Sequence, residues 1–327
     1  YEACFENSEI RGHVHAPHGI RPEMRIEEWA VERSFTDFDE NTDIIAKEVS
    51  NNLVFNKNRF WTDVNRLNHG QGTSLKSERA WTREFNLNAI KAQRDSIALH
   101  ARENELLDEH DQFISPYLSI ELHGKGNKRG RDIEFGIKEV EGRGPINPHL
   151  ACWIADVLRN KCRENNFVDE NNNLPEINLK TLRGPYSGSY SLTRLRHGDE
   201  LFDFNGFGEN FNALQFECAP WVREKDNKLF GRILNEILEE FTNTFKNAED
   251  VFALESVYGE MYEQKKIAER IEMFSSDRVL LTDDIEKGEI RLSKSIRDEL
   301  GVEIDGDIEI NGNTFTVIKN QQVYIKS

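Results

Sequence analysis

Three histidines, His13, His15 and His18, lie within six positions near the start of the chain, which has only nine histidines in all. Neutral imidazole is the commonest protein ligand for metal ions. The run before Pro17 predicts a strand, which leaves His18 on a turn at its carboxyl end, where open α/β sheets place their chemistry. We therefore predict His18 as a metal ligand. His13 and His15 share one face of the strand and are expected to pack beside the site or to support it.

Other polar residues that could act in catalysis also follow predicted strands. His123, Glu217 and the pair Asn65 and Arg66 each lie at or near the carboxyl end of a strand, and the ends of parallel strands meet at one sheet edge. Two histidines and a carboxylate leave one position of a zinc ion open for water, and a nearby glutamate can act as general base. Arginine with asparagine offers a planar fork for a carboxylate. The inventory predicts hydrolysis of an amide in an acid-bearing substrate.

Each of these residues taken alone is also consistent with a structural role. A histidine at a strand end can be a hydrogen-bonded packing residue, and a buried glutamate or arginine can belong to an ion pair. The prediction of a site therefore depends on their common position at strand ends.

The elements that would position these residues predict an α/β fold. Strands alternate with helices up to about residue 245, which indicates a mixed, mostly parallel sheet flanked by helices. Apolar spacing at Ile45, Val49 and Leu53 predicts one helix, with Thr42 as its N-cap. Residues 76–110 predict another helix, in which Leu99 is among the expected buried positions. Further helices are predicted over 149–163 and 228–245.

The chain changes character near residue 275, where short strands begin to alternate with turn signals such as Asn311-Gly312. We expect an α/β metallohydrolase domain over residues 1–250, a connector helix over 251–274 and a small β-barrel-like domain over 275–327. The segment from Glu289 to Ile310 is similar to the small β-barrel segments of AAA-ATPase amino-terminal domains and of swapped-hairpin transcription factors, which serve binding or oligomerisation.

The composition restricts the possible partners. A chain of 327 residues with 37% apolar side chains can bury a sizeable core. The net charge of −17 argues against a nucleic-acid partner, which would need a basic face. The sequence shows no apolar run of about 18 residues that would predict a membrane span and no signal-peptide pattern. The four cysteines form no C-x-x-C pair, so we expect reduced thiols in a cytoplasmic protein.

Six short motifs follow one another along the chain. They are Pro17-His18-Gly19, Asp63-Val-Asn-Arg66, Ser119-Ile-Glu-Leu-His123-Gly, Arg131-Asp-Ile-Glu-Phe-Gly136, Gly184-Pro-Tyr-Ser-Gly188 and Leu214-Gln-Phe-Glu217. Their order resembles the N-formylglutamate amidohydrolase family over roughly residues 12–245. That family is related in fold to zinc carboxypeptidases and to poly-γ-glutamate hydrolases. The resemblance implies a phosphorylase/hydrolase-like fold of the zinc-carboxypeptidase type.

The resemblance also implies roles for single residues. His18 and His123 would bind zinc, and Glu217 would act as general base. Asn65 and Arg66 would clamp the substrate carboxylate. Zinc is the expected metal, and the same ligand types would also suit Mn²⁺ or Co²⁺.

The third zinc ligand has two candidates. Zinc carboxypeptidases place an acid three residues after the first histidine, but Arg21 stands there and cannot bind a metal ion. Glu23 lies nearby. The related poly-γ-glutamate hydrolases carry the acid three residues before a threonine that opens a helix, and Asp39 has this position relative to Thr42. We prefer Asp39 and keep Glu23 as the alternative.

The expected partner is a small molecule or peptide that carries a carboxylate. Arg131 and Tyr186, which lie in two of the motifs, are predicted to contact it. The loop over residues 124–131 is more basic than the family resemblance leads us to expect, which favours a substrate with additional negative charge.

Two other functions compete with this prediction. His13 and His15 form a His-x-His pair of the kind found in metal-dependent barrel hydrolases, and together with His18 they resemble the metallo-β-lactamase motif. That motif needs an aspartate where Pro17 stands. In the other alternative, the α/β part is a non-catalytic scaffold and the C-terminal β domain recruits a partner.

Overall fold

A computed structural model describes residues 2–17, 39–55, 80–126, 132–138, 143–181, 190–198, 205–277, 289–292, 307–310 and 313–319. The chain divides into two compact units, Tyr1–Val257 and Tyr258–Ser327. This boundary falls inside the segment over 251–274 that the sequence predicts as a connector helix.

The first unit is built on one open sheet. Its described strands are β1 (Glu2–Phe5), β2 (Gly12–Ala16), β3 (Asn51–Val54), β4 (Tyr117–Gly124), β5 (Ile133–Gly136), β6 (Ile177–Lys180) and β7 (Phe211–Cys218). Their order is β1-β3-β2-β4-β7-β5-β6. Neighbours from β3 through β2 and β4 to β7 pair in parallel, as do β5 and β6, whereas β1 with β3 and β5 with β7 are antiparallel. The predicted α/β fold with a mixed, mostly parallel sheet is confirmed.

Helices cover both faces of this sheet. They are α1 (Thr42–Lys47), α2 (Ala80–Glu103), α3 (Pro148–Glu164), α4 (Tyr190–His197), α5 (Pro220–Glu224), α6 (Asn227–Thr244) and α7 (Ala248–Phe252), and α8 (Glu255–Asp277) crosses the boundary between the units. α1 and α3 pack against α6 on one face. On the other face, Ile97 of α2 and Leu192 of α4 join a buried cluster with Tyr117 and Ala213 of the sheet. Because apolar side chains alternate with polar ones along β4, this second face also carries the polar residues of the site.

Three local predictions in this unit are wrong. Leu53 lies in β3, where it pairs with His15 and Ala3, because sheet pairing overrides the helical spacing after Lys47. The N-cap position of α1 is Asn41, at φ 67°, and the Thr42 hydroxyl donates to the Asp39 carbonyl instead. Leu99 is 59% exposed. It lies on the solvent side of α2, whereas its neighbours at 97 and 98 are buried.

The second unit contains a small sheet formed by β8 (Glu289–Leu292), β9 (Asp307–Ile310) and β10 (Asn313–Lys319). β10 pairs in parallel with β8 and antiparallel with β9. Because Ile310 pairs with Asn313, β9 and β10 form a hairpin around Asn311-Gly312, as the Asn-Gly signal predicts. No helix in the described part of the chain has both the length and the apolar composition that crossing a membrane requires.

Candidate metal and catalytic site

The polar residues of the site lie in register across three neighbouring strands. His123 on β4 pairs with Glu217 on β7, and Glu217 pairs on its other side with Glu134 on β5. Side chains in register point to the same face of a sheet. All three are buried, so the sheet itself brings a histidine and two carboxylates side by side.

His123 lies between two carboxylates. Its Nδ1 is 3.1 Å from Asp39 Oδ2, and its Nε2 is 2.8 Å from Glu121 Oε1. Ionised carboxylates only accept hydrogen bonds, so each ring nitrogen that faces one donates to it. Burial lowers the pKa of His123, but the hydrogen bonds to Asp39 and Glu121 and the nearby charge of Glu217 outweigh burial and raise it well above the ordinary value. These contacts favour the doubly protonated ring.

Glu121 connects His123 to a second histidine. Its other oxygen, Oε2, lies 3.1 Å from His15 Nδ1, and Gln93 Nε2 from α2 lies 3.0 Å from that same nitrogen. Burial raises the pKa of the Glu121 carboxyl, but hydrogen bonds from His123 and His15 hold it well below the usual value. We call Asp39, His123, Glu121, His15 and Gln93 the His123 network.

His13 makes different contacts from His15, although both lie on β2. Its Nδ1 is 3.1 Å from the Tyr117 hydroxyl, and its Nε2 is 3.1 Å from Ser119 Oγ. The Phe5 ring packs against it edge-on. Burial, and then the charge of His15, lowers the pKa of His13 well below its ordinary value. His13 is therefore a neutral packing residue at the opposite end of β4 from His123.

Hydrogen bonds connect the loop that carries Asp39 to two helices, α1 and α5. The Asp39 carbonyl accepts from the Thr42 amide and hydroxyl at the start of α1. Arg223 of α5 donates through Nη1 to the Glu40 carbonyl and through Nε to the Cys218 carbonyl, at 3.1 Å, at the end of β7. These bonds hold the Asp39 loop beside the strand that carries Glu217.

Glu217 and Glu134 differ in their surroundings. The Gln215 side-chain amide donates to Glu217 Oε1. Glu134 lies between two lysines, with its Oε2 3.2 Å from Lys125 Nζ and its Oε1 3.7 Å from Lys180 Nζ. Two lysine side chains therefore surround the carboxylate that pairs in register with Glu217.

The structure brings together three of the predicted site residues: Asp39, His123 and Glu217. The other predicted site residues lie outside the described residues, namely His18, Glu23, Asn65, Arg66, Arg131 and Tyr186. Sequence reasoning assigned no role to Glu121 or to Gln93. The alternation of Ser119, Glu121 and His123 on one strand face is a signal that could have identified Glu121.

Asp39 and His123 fit two positions of a zinc site. Two ligands each about 2.0 Å from a tetrahedral zinc ion lie about 3.3 Å apart, and the Nδ1 to Oδ2 distance is 3.1 Å. The Glu121 carboxylate on Nε2 matches the carboxylate partner that usually orients a zinc-binding histidine. Among the residues that the structure describes, no group of three or more histidine, cysteine, aspartate and glutamate side chains could hold a metal ion. A complete site would need a further ligand from elsewhere in the chain.

The open order of the described strands, with β1 and β6 at the edges, speaks against the barrel alternative.

No family model and no curated protein sequence matches the chain. A crystal structure of a gene product from Agrobacterium tumefaciens matches 72% of this chain and 92% of its own, with a TM-score of 0.45 and 10% identity. The crystal structure of N-formylglutamate amidohydrolase from Ralstonia eutropha JMP134 matches 74% of this chain and 96% of its own, with a TM-score of 0.46 and 14% identity.

Proposed function

We propose that this protein is a zinc-dependent hydrolase of an amide or peptide bond in a carboxylate-bearing substrate. His18, Asp39 and His123 would hold the ion, and Mn²⁺ or Co²⁺ could replace zinc. The observation that carries the proposal is the placement of His123, with Nδ1 toward Asp39 and Nε2 toward Glu121. A bound zinc ion supplies Lewis-acid activation of a carbonyl and of water.

Glu217 is the proposed general base. It lies in register with His123 on the adjacent strand, and the Gln215 amide holds one of its oxygens. The other oxygen would accept a proton from the attacking water as the water oxygen bonds to the substrate carbonyl carbon. Glu217 would then return that proton to the leaving nitrogen when the C–N bond breaks.

The proposed substrate carries at least one carboxylate. Asn65, Arg66, Arg131 and Tyr186 are the predicted contacts for it. Within the described residues, Lys125 and Lys180 support an anionic substrate, because they place two cationic side chains on the β5 side of Glu217. N-formylglutamate, other N-acylglutamates, γ-glutamyl amides and short acidic peptides all have this chemistry.

Metal analysis combined with hydrolysis assays on these compounds tests the proposal. The wild type should retain about one zinc ion per chain. His123→Ala should lose both zinc and hydrolysis, whereas Glu217→Gln should keep zinc while kcat falls roughly 10²- to 10⁴-fold. If His123→Ala kept full zinc content and activity, the assignment would be wrong. If Glu217→Gln kept full turnover, the general base would have to lie elsewhere.

A further inference from the structure

We propose that His15 is a positioning residue for the metal ligand His123 and acts through Glu121, whereas its neighbour His13 takes no part. This inference rests on the proposed metal site and assigns different roles to two histidines that the sequence does not distinguish. Both are fully buried on the same face of β2. Their side-chain partners separate them.

The contacts of Glu121 define the connection. Its two oxygens are divided between two rings, with Oε1 2.8 Å from His123 Nε2 and Oε2 3.1 Å from His15 Nδ1. The parallel register places His15 directly opposite Glu121. The carboxylate is therefore held from both sides and has one orientation toward His123.

The two hydrogen bonds to Glu121 each have a defined donor. Because a carboxylate only accepts, His15 Nδ1 and His123 Nε2 both donate to Glu121. A donating Nε2 leaves Nδ1 of His123, which faces Asp39, as the nitrogen that can bind a metal ion once it loses its proton. Carboxylate partners of this kind fix the tautomer and orientation of a metal-bound histidine. His15 thus stabilises the arrangement that presents Nδ1 to the metal.

Gln93 packs beside His15 and not beside His13. Its side-chain amide, which is fully buried on α2, lies 3.0 Å from His15 Nδ1. The amide packs beside the ring from the helix side, while the hydrogen bond of Nδ1 goes to Glu121 on the sheet side. His13 instead contacts Tyr117 and Ser119, and neither of these belongs to the His123 network.

Paired variants on β2 test the proposal. His15→Gln and His13→Gln remove the same ring from equally buried sites on one strand. Zinc affinity is measured on the metal-free full chain by competition with a chelator, and thermal unfolding of the same samples reports stability. We expect His15→Gln to weaken zinc binding roughly 10- to 100-fold. His13→Gln should lower the unfolding temperature but keep the wild-type zinc affinity.

The outcomes separate this proposal from the proposed function. A wild type that binds no zinc would overturn both. A wild type that binds zinc, with His15→Gln equally tight, would overturn only the role of His15. Equal weakening in both variants would also overturn it, because the effect would then follow from lost packing. If His15→Gln fails to fold, Glu121→Gln provides the test, and unchanged zinc affinity in that variant would reject the connection.

Discussion

At the scale of single residues, the two carboxylates around His123 determine how the metal-free protein behaves. Each ring nitrogen faces a carboxylate, and these two contacts favour a ring that carries both protons. A metal ion that binds Nδ1 must displace one of them. The His123 network therefore orients His123 for the metal ion and also favours a proton on Nδ1, and this proton competes with the metal ion for that nitrogen.

This competition predicts a pH-dependent zinc affinity. The hydrogen bonds to Asp39 and Glu121 raise the pKa of His123 well above its ordinary value. Each ion that binds the protonated ring releases one proton, so zinc should bind more tightly as pH rises. Chelator competition between pH 6 and pH 8 measures the slope. A flat profile across this range would show that no proton leaves the ligands on binding.

A second residue-scale prediction concerns His100 of α2, which stacks on Phe5 with ring centroids 4.1 Å apart. Burial lowers its pKa to about 4. Because the unfolded chain binds the proton near pH 6.5, the stability from this residue is present above about pH 6.5 and is lost as pH falls toward 4. At pH 4.5, this effect lowers the free energy of unfolding by about 2–3 kcal/mol.

Urea unfolding at pH 7 and pH 4.5 tests this prediction. The wild type should lose about 2–3 kcal/mol more stability between the two pH values than His100→Gln, which cannot titrate. Groups that do not interact with His100 contribute equally to both proteins and cancel in this comparison, whereas the charge of His100 also lowers the pKa of His13. Equal losses would show that His100 is not the titrating group.

At the scale of elements, the fit of α1 against α6 bears on the site because the Asp39 loop leads directly into α1. Gly231 of α6 makes the close approach possible. A Cβ there would lie 2.6 Å from the Ile45 carbonyl oxygen and 2.6 Å from Glu48 Cβ. The backbone oxygen cannot move away unless α1 shifts.

We expect Gly231→Ala to lower the free energy of unfolding by up to about 2 kcal/mol. Alanine gains about 1 kcal/mol of helix propensity, but forcing a methyl group into a filled contact costs about 1–3 kcal/mol. Gly126→Ala is the control, because a Cβ there meets no atom within 4 Å. Denaturant unfolding gives both values. If Gly231→Ala were more stable than the wild type, α1 would shift with no cost in free energy.

At the scale of the whole molecule, the division into two compact units separates the candidate site from the C-terminal strands. Asp39, His123, Glu121 and Glu217 all belong to Tyr1–Val257. Domains of this size have their own core and usually fold independently. Binding or oligomerisation stays our prediction for the second unit, which contains none of these four residues.

A chain shortened after Asp277, which keeps α8 whole, should retain zinc and hydrolysis with the turnover of the full-length protein. Zinc content and kcat are measured on both proteins, and circular dichroism establishes that the shorter one folds. A folded, shortened chain without zinc or turnover would mean that the C-terminal unit contributes to the site.

The sequence by itself predicted the α/β class and the positions of His123 and Glu217 near strand ends. Alternating polarity and turn residues are local signals, and in a parallel sheet the strand ends meet at one edge. The helix over 149–163 and the hairpin at Asn311-Gly312 were predictable for the same reason. Leu53 and Leu99 were predicted wrongly, because sheet pairing and the facing of a long helix depend on distant parts of the chain.

Only the tertiary structure decided which residues surround His123. Asp39 and Glu121 lie 84 and 2 positions from His123 in the chain, and the sheet together with the α1 loop places them on opposite ring nitrogens. In the sequence, His13 and His15 are equivalent, because both lie on one face of the same predicted strand. Register separated them, because β4 presents Ser119 to one and Glu121 to the other. Strand register results from packing of the whole sheet, so no local pattern contains it.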